Sequence, residues 1–385
     1  MSRDLKLIAV ALFTWGIGEG MFFIFQPIYL QQWGASPVLI GFVIGGMGAA
    51  MAIAQIPAGY LADRLGGRVL MRVAWVTGLA ATLIMGFASS MNIFIAGMWI
   101  YGLTAFVTAP LNSYIASARG LWSIERAITF GSAMFQMGAI SGPILGGIMG
   151  QKFGLKAVYM IAAAIFVISC ATMFLVSPQP IESHHETAGK GKLHRNGSFI
   201  TFLVLSFFTV LATTLPQPLT PNFLQNQKLL SLETIGQMGS LASLGSVIFS
   251  LTLGNLSGVN GFLVGQLAVG LFSLILWRGN NIIWISLSYL LLGGYRLMRN
   301  MGLAYSRSLI HTAETGLAFG VVETVNAFAI ILAPTLAGFL YNSNPLSIYT
   351  VSLIMIASML FLNVVFLTPY LKILPKLHAL FKQEE

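Results

Sequence analysis

The chain of 385 residues has a composition that excludes a soluble globular protein. Hydrophobic residues make up 56% of it and charged residues only 8%, at a mean hydropathy of +0.83, whereas soluble domains carry about 25% charged residues. The net charge of +9 is distributed over separate loops rather than gathered in one patch, so it requires no nucleic-acid partner. We therefore predict an all-α, integral, multi-pass membrane protein.

Apolar segments long enough to cross a bilayer follow one another along the whole chain. We predict twelve transmembrane helices at residues 5–32, 36–62, 69–89, 92–117, 122–150, 155–177, 198–226, 231–255, 259–278, 281–306, 313–340 and 346–371. The first is a span rather than a cleavable signal peptide, because Glu19 interrupts it and it continues past Tyr29. A polar linker at 178–197 separates two domains of six helices each, 1–177 and 198–385.

Basic residues are divided unequally between the two sides of this topology. With odd-numbered spans entering from the cytoplasm, fourteen lysines and arginines fall in cytoplasmic loops and termini and four fall outside. Cytoplasmic loops of membrane proteins carry this excess. We expect both termini and the 178–197 linker to be cytoplasmic, in a bacterial inner membrane.

The first span carries Glu19 near its midpoint and Gln26 nearer its outer end. A carboxylate at the bilayer centre costs about 2.5–3.5 kcal/mol on insertion scales, so it must face a cavity or a partner. Such a group suits proton carriage. The alternative is that Glu19 only locks helix packing through a hydrogen bond or an ion pair.

A charged, glycine-rich turn separates the second span from the third. Residues 59–68 read Gly-Tyr-Leu-Ala-Asp-Arg-Leu-Gly-Gly-Arg, which resembles the signature loop between the second and third helices of the major facilitator superfamily of secondary transporters. The resemblance implies two pseudosymmetric six-helix bundles around a central cavity, working by alternating access. It also implies a conformational latch, which we assign to Gly59, Asp63, Arg64, Gly66 and Arg68.

The fifth span contains a second element of the same resemblance. Gly138, Gly142, Pro143 and Gly147 match the Gly-x-x-x-Gly-Pro-x-x-Gly-Gly pattern that this family calls its antiporter motif. Proline removes a helical hydrogen bond and glycines permit close backbone contact. We expect a pliable helix packed tightly on a neighbour.

The two halves repeat each other, as the resemblance requires. Ile40-Gly41 recurs as Ile235-Gly236 at an offset of 195 residues, and Pro143 recurs as Pro334 at an offset of 191. The second half has Gly258 where the first has Asp63, so only the first keeps the charged turn. Such internal repeats are typical of transporter folds.

The tenth and eleventh spans hold the other deep charges. Arg296, Arg299 and Arg307 follow one stripe of the tenth span, and Glu323 lies at about the depth of Arg296. We expect Arg296 to pair with Glu323 and Arg299 to reach toward water. The alternative is that Arg296 faces the cavity and binds an anionic substrate.

Polar residues at similar depth are the predicted lining of the central cavity. The proton-coupling residues are Glu19 and Glu323, the only acids deep in a predicted span. The substrate-binding residues are Glu19, Gln26, Thr104, Thr108, Gln136, Thr213, Gln217, Arg296 and Asn326.

These residues suggest a drug- or metabolite-antiporter-like transporter. We predict proton-coupled efflux of an amphipathic or cationic compound. The alternatives are proton-coupled uptake of an anionic or polar metabolite, and a membrane receptor or scaffold without transport. We expect a monomer in the lipid bilayer whose partners are a small-molecule substrate and protons, with no cofactor, no metal and no enzymatic activity. The single Cys170 offers no disulfide, and His184-His185 lack further ligands at metal-binding spacing.

Overall fold

A computed structural model describes residues 1–178, 196–310 and 315–367, except for the side chains of 56–65, 109, 125 and 315–317. Every regular element in these ranges is helical, as predicted. The helices are α1 Arg3–Phe23, α2 Gln26–Gln32, α3 Pro37–Leu65, α4 Gly67–Phe87, α5 Met91–Leu103, α6 Thr108–Ala118, α7 Ile124–Phe153, α8 Leu155–Phe174, α9 Gly197–Thr214, α10 Thr220–Asn226, α11 Leu232–Leu253, α12 Gly258–Arg278, α13 Ile282–Leu292, α14 Gly294–Ser308, α15 Thr315–Ser343 and α16 Ser347–Leu367.

The helices fall on the twelve predicted spans, but the structure does not give the number twelve by itself. Among the described residues, ten helices are long and apolar enough to cross a membrane, and the bent pair Met91–Val107 with Pro110–Ala118 would make eleven. The predicted tenth span falls on α13 and α14. With 11 and 15 residues, each is shorter than the roughly 20 residues that cross a bilayer.

Several predicted spans are broken where proline or glycine interrupts the backbone hydrogen bonds. The first span breaks before Pro27, giving α1 and α2, and the seventh breaks before Pro221, giving α9 and α10. In the fourth, a 3₁₀ turn at Thr104–Val107 precedes Pro110, and in the tenth the break is at Gly293. Proline lacks the amide hydrogen that continues a helix. These breaks place irregular backbone well inside four spans.

The chain forms two compact units. Unit 1 contains Met1–His185 and Pro218–Ser243, and unit 2 contains Glu186–Gln217 and Leu244–Glu385. The helix α10 and the first part of α11 therefore belong with the N-terminal helices. The predicted boundaries at the 178–197 linker stay a prediction, because most of that segment lies outside the described residues.

In unit 1, the glycines of α7 allow backbone contact with α1. A Cβ on Gly138 would lie 2.2 Å from the carbonyl oxygen of Phe13, and a Cβ on Gly142 would lie 2.4 Å from that of Ile17. Because both obstacles are backbone atoms, neither can rotate away. The contact at Gly138 and Gly142 of α7 therefore fixes the position of α1, and with it the position of Glu19.

The same glycine- and proline-rich segment of α7 also contacts α11. A Cβ on Gly236 would lie 2.2 Å from the carbonyl oxygen of Pro143, and a Cβ on Gly147 would lie 2.7 Å from that of Leu232. Residues four apart on a helix share one face. The predicted packing motif therefore contacts two helices, with Gly138 and Gly142 toward α1, Gly147 toward α11, and Pro143 close to both, its ring near Gly20 and its carbonyl near Gly236.

Unit 2 has an apolar core that contains a buried polar seam. Phe199, Phe202 and Phe262 are among the buried core side chains. Beside them Asn363 donates from Nδ2 to Oγ1 of Thr209 and to Oε1 of Gln266, both at 2.9 Å. None of these three polar side chains is exposed at all, so the seam ties α9, α12 and α16 together through bonds made within the unit.

Candidate functional site

Glu19 is held by two hydrogen bonds from neutral donors. Its Oε2 accepts from Nε1 of Trp15 at 3.1 Å and from the hydroxyl of Tyr101 at 2.7 Å. Trp15 lies one turn earlier on α1, which is the spacing that brings two side chains of a helix together. Tyr101 comes from α5, so the carboxylate links two helices of unit 1.

An aromatic cluster surrounds these donors. The ring of Trp15 stacks on Phe166 with 4.3 Å between centroids and lies 4.9 Å from the ring of Trp75. Tyr101 stacks on Phe166 at 6.2 Å. A Cβ on Gly78 would lie 2.2 Å from the Trp15 ring, so only glycine leaves room for the indole there. The cluster fixes the donors and surrounds the half-buried carboxylate with apolar rings.

The arginine that pairs with Glu323 is not the predicted one. Arg299 donates from Nη2 to Oε2 of Glu323, and the two side chains are 18% and 43% exposed. Arg296 is exposed on the same helix. Residues three apart differ by about 60° around a helix axis. The prediction of an Arg296–Glu323 pair, with Arg299 reaching only toward water, was therefore wrong, because the face of α14 that meets α15 carries Arg299.

Three further predicted residues of unit 2 have their polar groups engaged within that unit. Asn326 is 2% exposed, and its Oδ1 accepts from Ser206 at 2.9 Å. The hydroxyl of Thr213 donates to the carbonyl of Thr209 one turn earlier, at 2.7 Å, and Gln217 donates in turn to the carbonyl of Thr213 at 2.7 Å. Their predicted role as substrate ligands stays a prediction.

The remaining predicted residues of unit 1 differ in exposure. Thr104 and Thr108 donate to carbonyls of their own segment, at 2.7 Å and 3.2 Å. Gln136 is half-buried on α7, whereas Gln26 is only 2% exposed at the start of α2. Of this group, Gln26 is the residue whose polar atoms are most enclosed by the protein.

The predicted latch is only partly visible. Gly66 stands between α3 and α4 with φ 78°, a conformation that favours glycine. Arg68 is half-buried in the first turn of α4, and one turn later Arg72 donates to the carbonyl of Val176 at 3.5 Å. Gly59, Asp63 and Arg64 lie in the range 56–65, whose side chains the structure does not describe, so the latch itself stays a prediction.

Sequence reasoning missed the partners of the deep acids. Trp15 could have been found, because it precedes Glu19 by four residues on a predicted helix. Tyr101 could not, because nothing in the sequence brings α5 to α1. Asn222 of α10 was also missed; it is 1% exposed and donates to the carbonyl of Pro27 on α2 at 3.0 Å.

Comparison with known proteins identifies the family. A sequence profile of the Major Facilitator Superfamily matches residues 8–258. The multidrug resistance protein MdtG of Yersinia enterocolitica is 27% identical over 297 residues, covering 71% of this chain and 70% of that protein. An uncharacterized MFS-type transporter of Methanocaldococcus jannaschii is 25% identical over 176 residues, 46% of each chain. The match thus spans less than half of that second relative.

Solved structures agree on the fold. The crystal structure of the nucleoside transporter NupG has a TM-score of 0.79 at 16% sequence identity, covering 95% of this chain and 98% of that one. The human organic anion transporter MFSD10 has a TM-score of 0.66 at 15% identity, covering 94% and 99%. At these identities the likeness shows the fold alone. The chain belongs to the major facilitator superfamily, as a multi-pass membrane protein of secondary transport and not an enzyme.

Proposed function

We propose that this transporter couples substrate movement to protons through Glu19 and exports an amphipathic or cationic compound. The observation that carries the proposal is the pair of neutral donors, Trp15 and Tyr101, on one carboxylate oxygen. A guanidinium partner favours the ionised form of an acid strongly, whereas neutral donors favour it less. A carboxyl group held in this way keeps the capacity to gain and lose a proton during transport.

The surroundings of Glu19 also favour a cationic substrate. Its carboxylate lies among the rings of Trp15, Tyr101 and Phe166, and aromatic faces together with a carboxylate attract organic cations. The MdtG relatives carry names that refer to multidrug resistance, which is consistent with export. In this proposal a proton and a cation compete for the same acid.

Uptake of an anionic or polar metabolite is the second candidate function. The observation in its favour is Arg296, a charged side chain exposed on α14 within the predicted tenth span. The fold likeness to a nucleoside transporter is compatible with a polar substrate but does not select one. The two candidates differ in the charge of the compound that the protein should bind.

Proton movement in proteoliposomes tests the proposal directly. The protein is reconstituted with pyranine inside the vesicles and exposed to ethidium, tetraphenylphosphonium, uridine or succinate without an imposed gradient. We expect the two cations to drive proton movement in the opposite direction. A response to succinate or uridine alone would support the second candidate, and binding without proton movement for any compound would support a receptor.

We further propose that both termini and the 178–197 linker are cytoplasmic, since the charge bias favours this topology. A cysteine at Lys192, introduced with Cys170→Ala, should resist a membrane-impermeant maleimide added to intact cells. A cysteine at Gln227, which is exposed between α10 and α11, serves as the matched control and should react. Labelling at 192 but not at 227 would reverse the topology.

A further inference from the structure

Two short helices of unit 1 are copies of one element. Pro27 to Leu30 at the start of α2 recurs 194 residues later as Pro221 to Leu224 in α10, and both copies carry an aromatic residue at the third position. The two helices pack against each other, and both belong to unit 1. The two copies of this repeated element, α2 and α10, are therefore in direct contact within unit 1.

The side-chain amide of Asn222 has a fixed orientation in this contact. Its Nδ2 lies 3.0 Å from the carbonyl oxygen of Pro27 and also donates to Oε1 of Gln31. A backbone carbonyl only accepts, so the atom that faces it has to be the amide nitrogen. The opposite assignment of oxygen and nitrogen is thereby excluded, and Oδ1 of Asn222 must point elsewhere.

The two atoms left over are complementary in their hydrogen-bonding character. Oδ1 of Asn222 is a buried acceptor for which the described residues supply no donor, and Nε2 of Gln26 is a buried donor for which they supply no acceptor. Gln26 immediately precedes Pro27, the residue that receives the Asn222 amide. Both side chains are at least 98% buried, being 2% and 1% exposed. Buried polar atoms of folded proteins nearly always have a partner, so we expect these two atoms to receive one.

We propose that Gln26 and Asn222 form a subsite for a hydroxyl group of the transported compound. A hydroxyl accepts from an amide N–H and donates to an amide oxygen at the same time, which no ether, ketone or methyl group does. This inference rests on the proposed function, because the compound that carries the hydroxyl group is the same cationic compound that Glu19 would bind. It adds Asn222 to the predicted site, and it adds a neutral polar group to the substrate.

The spacing along the chain sets the distance between the two groups of the compound. Gln26 follows Glu19 by seven residues, two helical turns, and these correspond to ~10 Å along a helix axis. The break between α1 and α2 is short, with Ile24 and Phe25 close to helical dihedral angles. The compound should therefore carry its hydroxyl roughly 10 Å from its cationic centre.

Two probes that differ by one group test this subsite. 8-Hydroxyoctyltrimethylammonium places a hydroxyl at about the required distance, and nonyltrimethylammonium replaces that hydroxyl by a methyl group. Affinities are measured by titration calorimetry on the full-length protein in nanodiscs. We expect the wild type to bind the hydroxylated probe about tenfold more tightly, the ratio that one or two net hydrogen bonds supply. Gln26→Met should reduce that ratio to about one, and Gln32→Met, at an exposed position of α2, should preserve it.

The possible failures are distinguishable. Equal affinities of the wild type for both probes would overturn the hydroxyl subsite while leaving the cationic substrate intact. If neither probe binds, the proposal of a cationic substrate is overturned. The melting temperatures of the unliganded wild type and Gln26→Met then test the hydroxyl subsite. A subsite kept for a substrate predicts that unliganded Gln26→Met is at least as stable as the wild type. A lower melting temperature would show that an ordered water satisfies both atoms, which would overturn the subsite.

Discussion

Glu19 and Glu323, one deep acid from each unit, have different hydrogen-bond donors in the described part of the chain. Glu19 receives hydrogen bonds from an indole and a phenol, whereas Glu323 receives a guanidinium. A charged partner ties the acid to one protonation state, and removing that partner leaves an uncompensated charge. We therefore propose that depth in the membrane does not by itself mark a proton carrier, and that the chemistry of the partner distinguishes the two acids.

The same contrast holds for the scaffolds of the two acids. Glu19 stands on a helix that touches α7 through backbone atoms, so its position is set by the fold of unit 1. The Arg299–Glu323 pair stands on α14 and α15, and its carboxylate remains 43% exposed. We infer that Glu19 is positioned to exchange a proton and that the Arg299–Glu323 ion pair mainly joins α14 and α15.

The largest expected effect is on coupling. Glu19→Gln should lower proton-driven accumulation of substrate to the level of empty liposomes, because an amide does not exchange a proton at neutral pH. Exchange of labelled for unlabelled substrate should persist, since the amide resembles the protonated acid. Glu323→Gln is the matched control and should retain accumulation. The reverse pattern would assign proton coupling to the ion pair.

The next effect concerns the scaffold of Glu19. In Gly142→Ala, the new methyl group would meet the backbone of α1 at 2.4 Å, and overpacking of this kind costs about 3 kcal/mol. Gly320→Ala is the control, because a Cβ there has nothing within 4 Å. Thermal unfolding should show a lower melting temperature for Gly142→Ala and little change for Gly320→Ala. Equal melting temperatures would mean that α1 moves away from α7 at little cost.

A double-mutant cycle measures the ion pair. Arg299→Ala and Glu323→Ala should each destabilise unit 2 by about 2 kcal/mol, less than for a fully buried pair because the carboxylate is partly exposed. The double variant should recover part of the loss. Arg307→Ala, at an exposed arginine near the end of α14, is the control and should show no such coupling to Glu323→Ala. If the losses of stability in Arg299→Ala and Glu323→Ala are additive, the two side chains do not stabilise each other, and the contrast with Glu19 fails.

The smallest expected effect is the loss of stability on removing the Tyr101 hydroxyl, which donates to Glu19. Tyr101→Phe should cost about 1 kcal/mol in the wild type, since one hydrogen bond to the carboxylate is lost. In a Glu19→Met background the same change should cost nothing, because the hydroxyl then has no carboxylate to bind. Melting temperatures of the four proteins provide the coupling energy. A cost that is equal in both backgrounds would mean that Tyr101 acts through packing alone.

The sequence predicted the helices of the fold better than their interruptions. Long apolar runs locate the spans because crossing a bilayer requires them. The breaks before Pro27 and Pro221 depend on where the irregular backbone finds partners, which hydropathy does not record. The interruption at Gly293 had a further consequence. Depth counted along an unbroken helix selected Arg296, whereas the rotation of α14 against α15 selects Arg299.

The candidate site was predicted only in part, for a similar reason. Composition and position single out Glu19, because few acids occur deep in apolar segments. Contacts within a helix, such as that from Trp15, follow from a spacing of four residues. Contacts between helices, such as those from Tyr101 and Asn222, depend on tertiary packing that a single sequence does not encode in any local pattern.

The polar seam of unit 2 can be completed only after α16 has been made. Gln266 on α12 receives a hydrogen bond from Asn363 and gives one to the carbonyl of Ile356, and both partners belong to α16. During synthesis α12 enters the membrane before α16 exists. Until α16 follows, the side-chain amide of Gln266 lacks both of these partners. A chain that ends before Ile356 would lack both partners of Gln266, and we expect it to be less stable than the full-length protein.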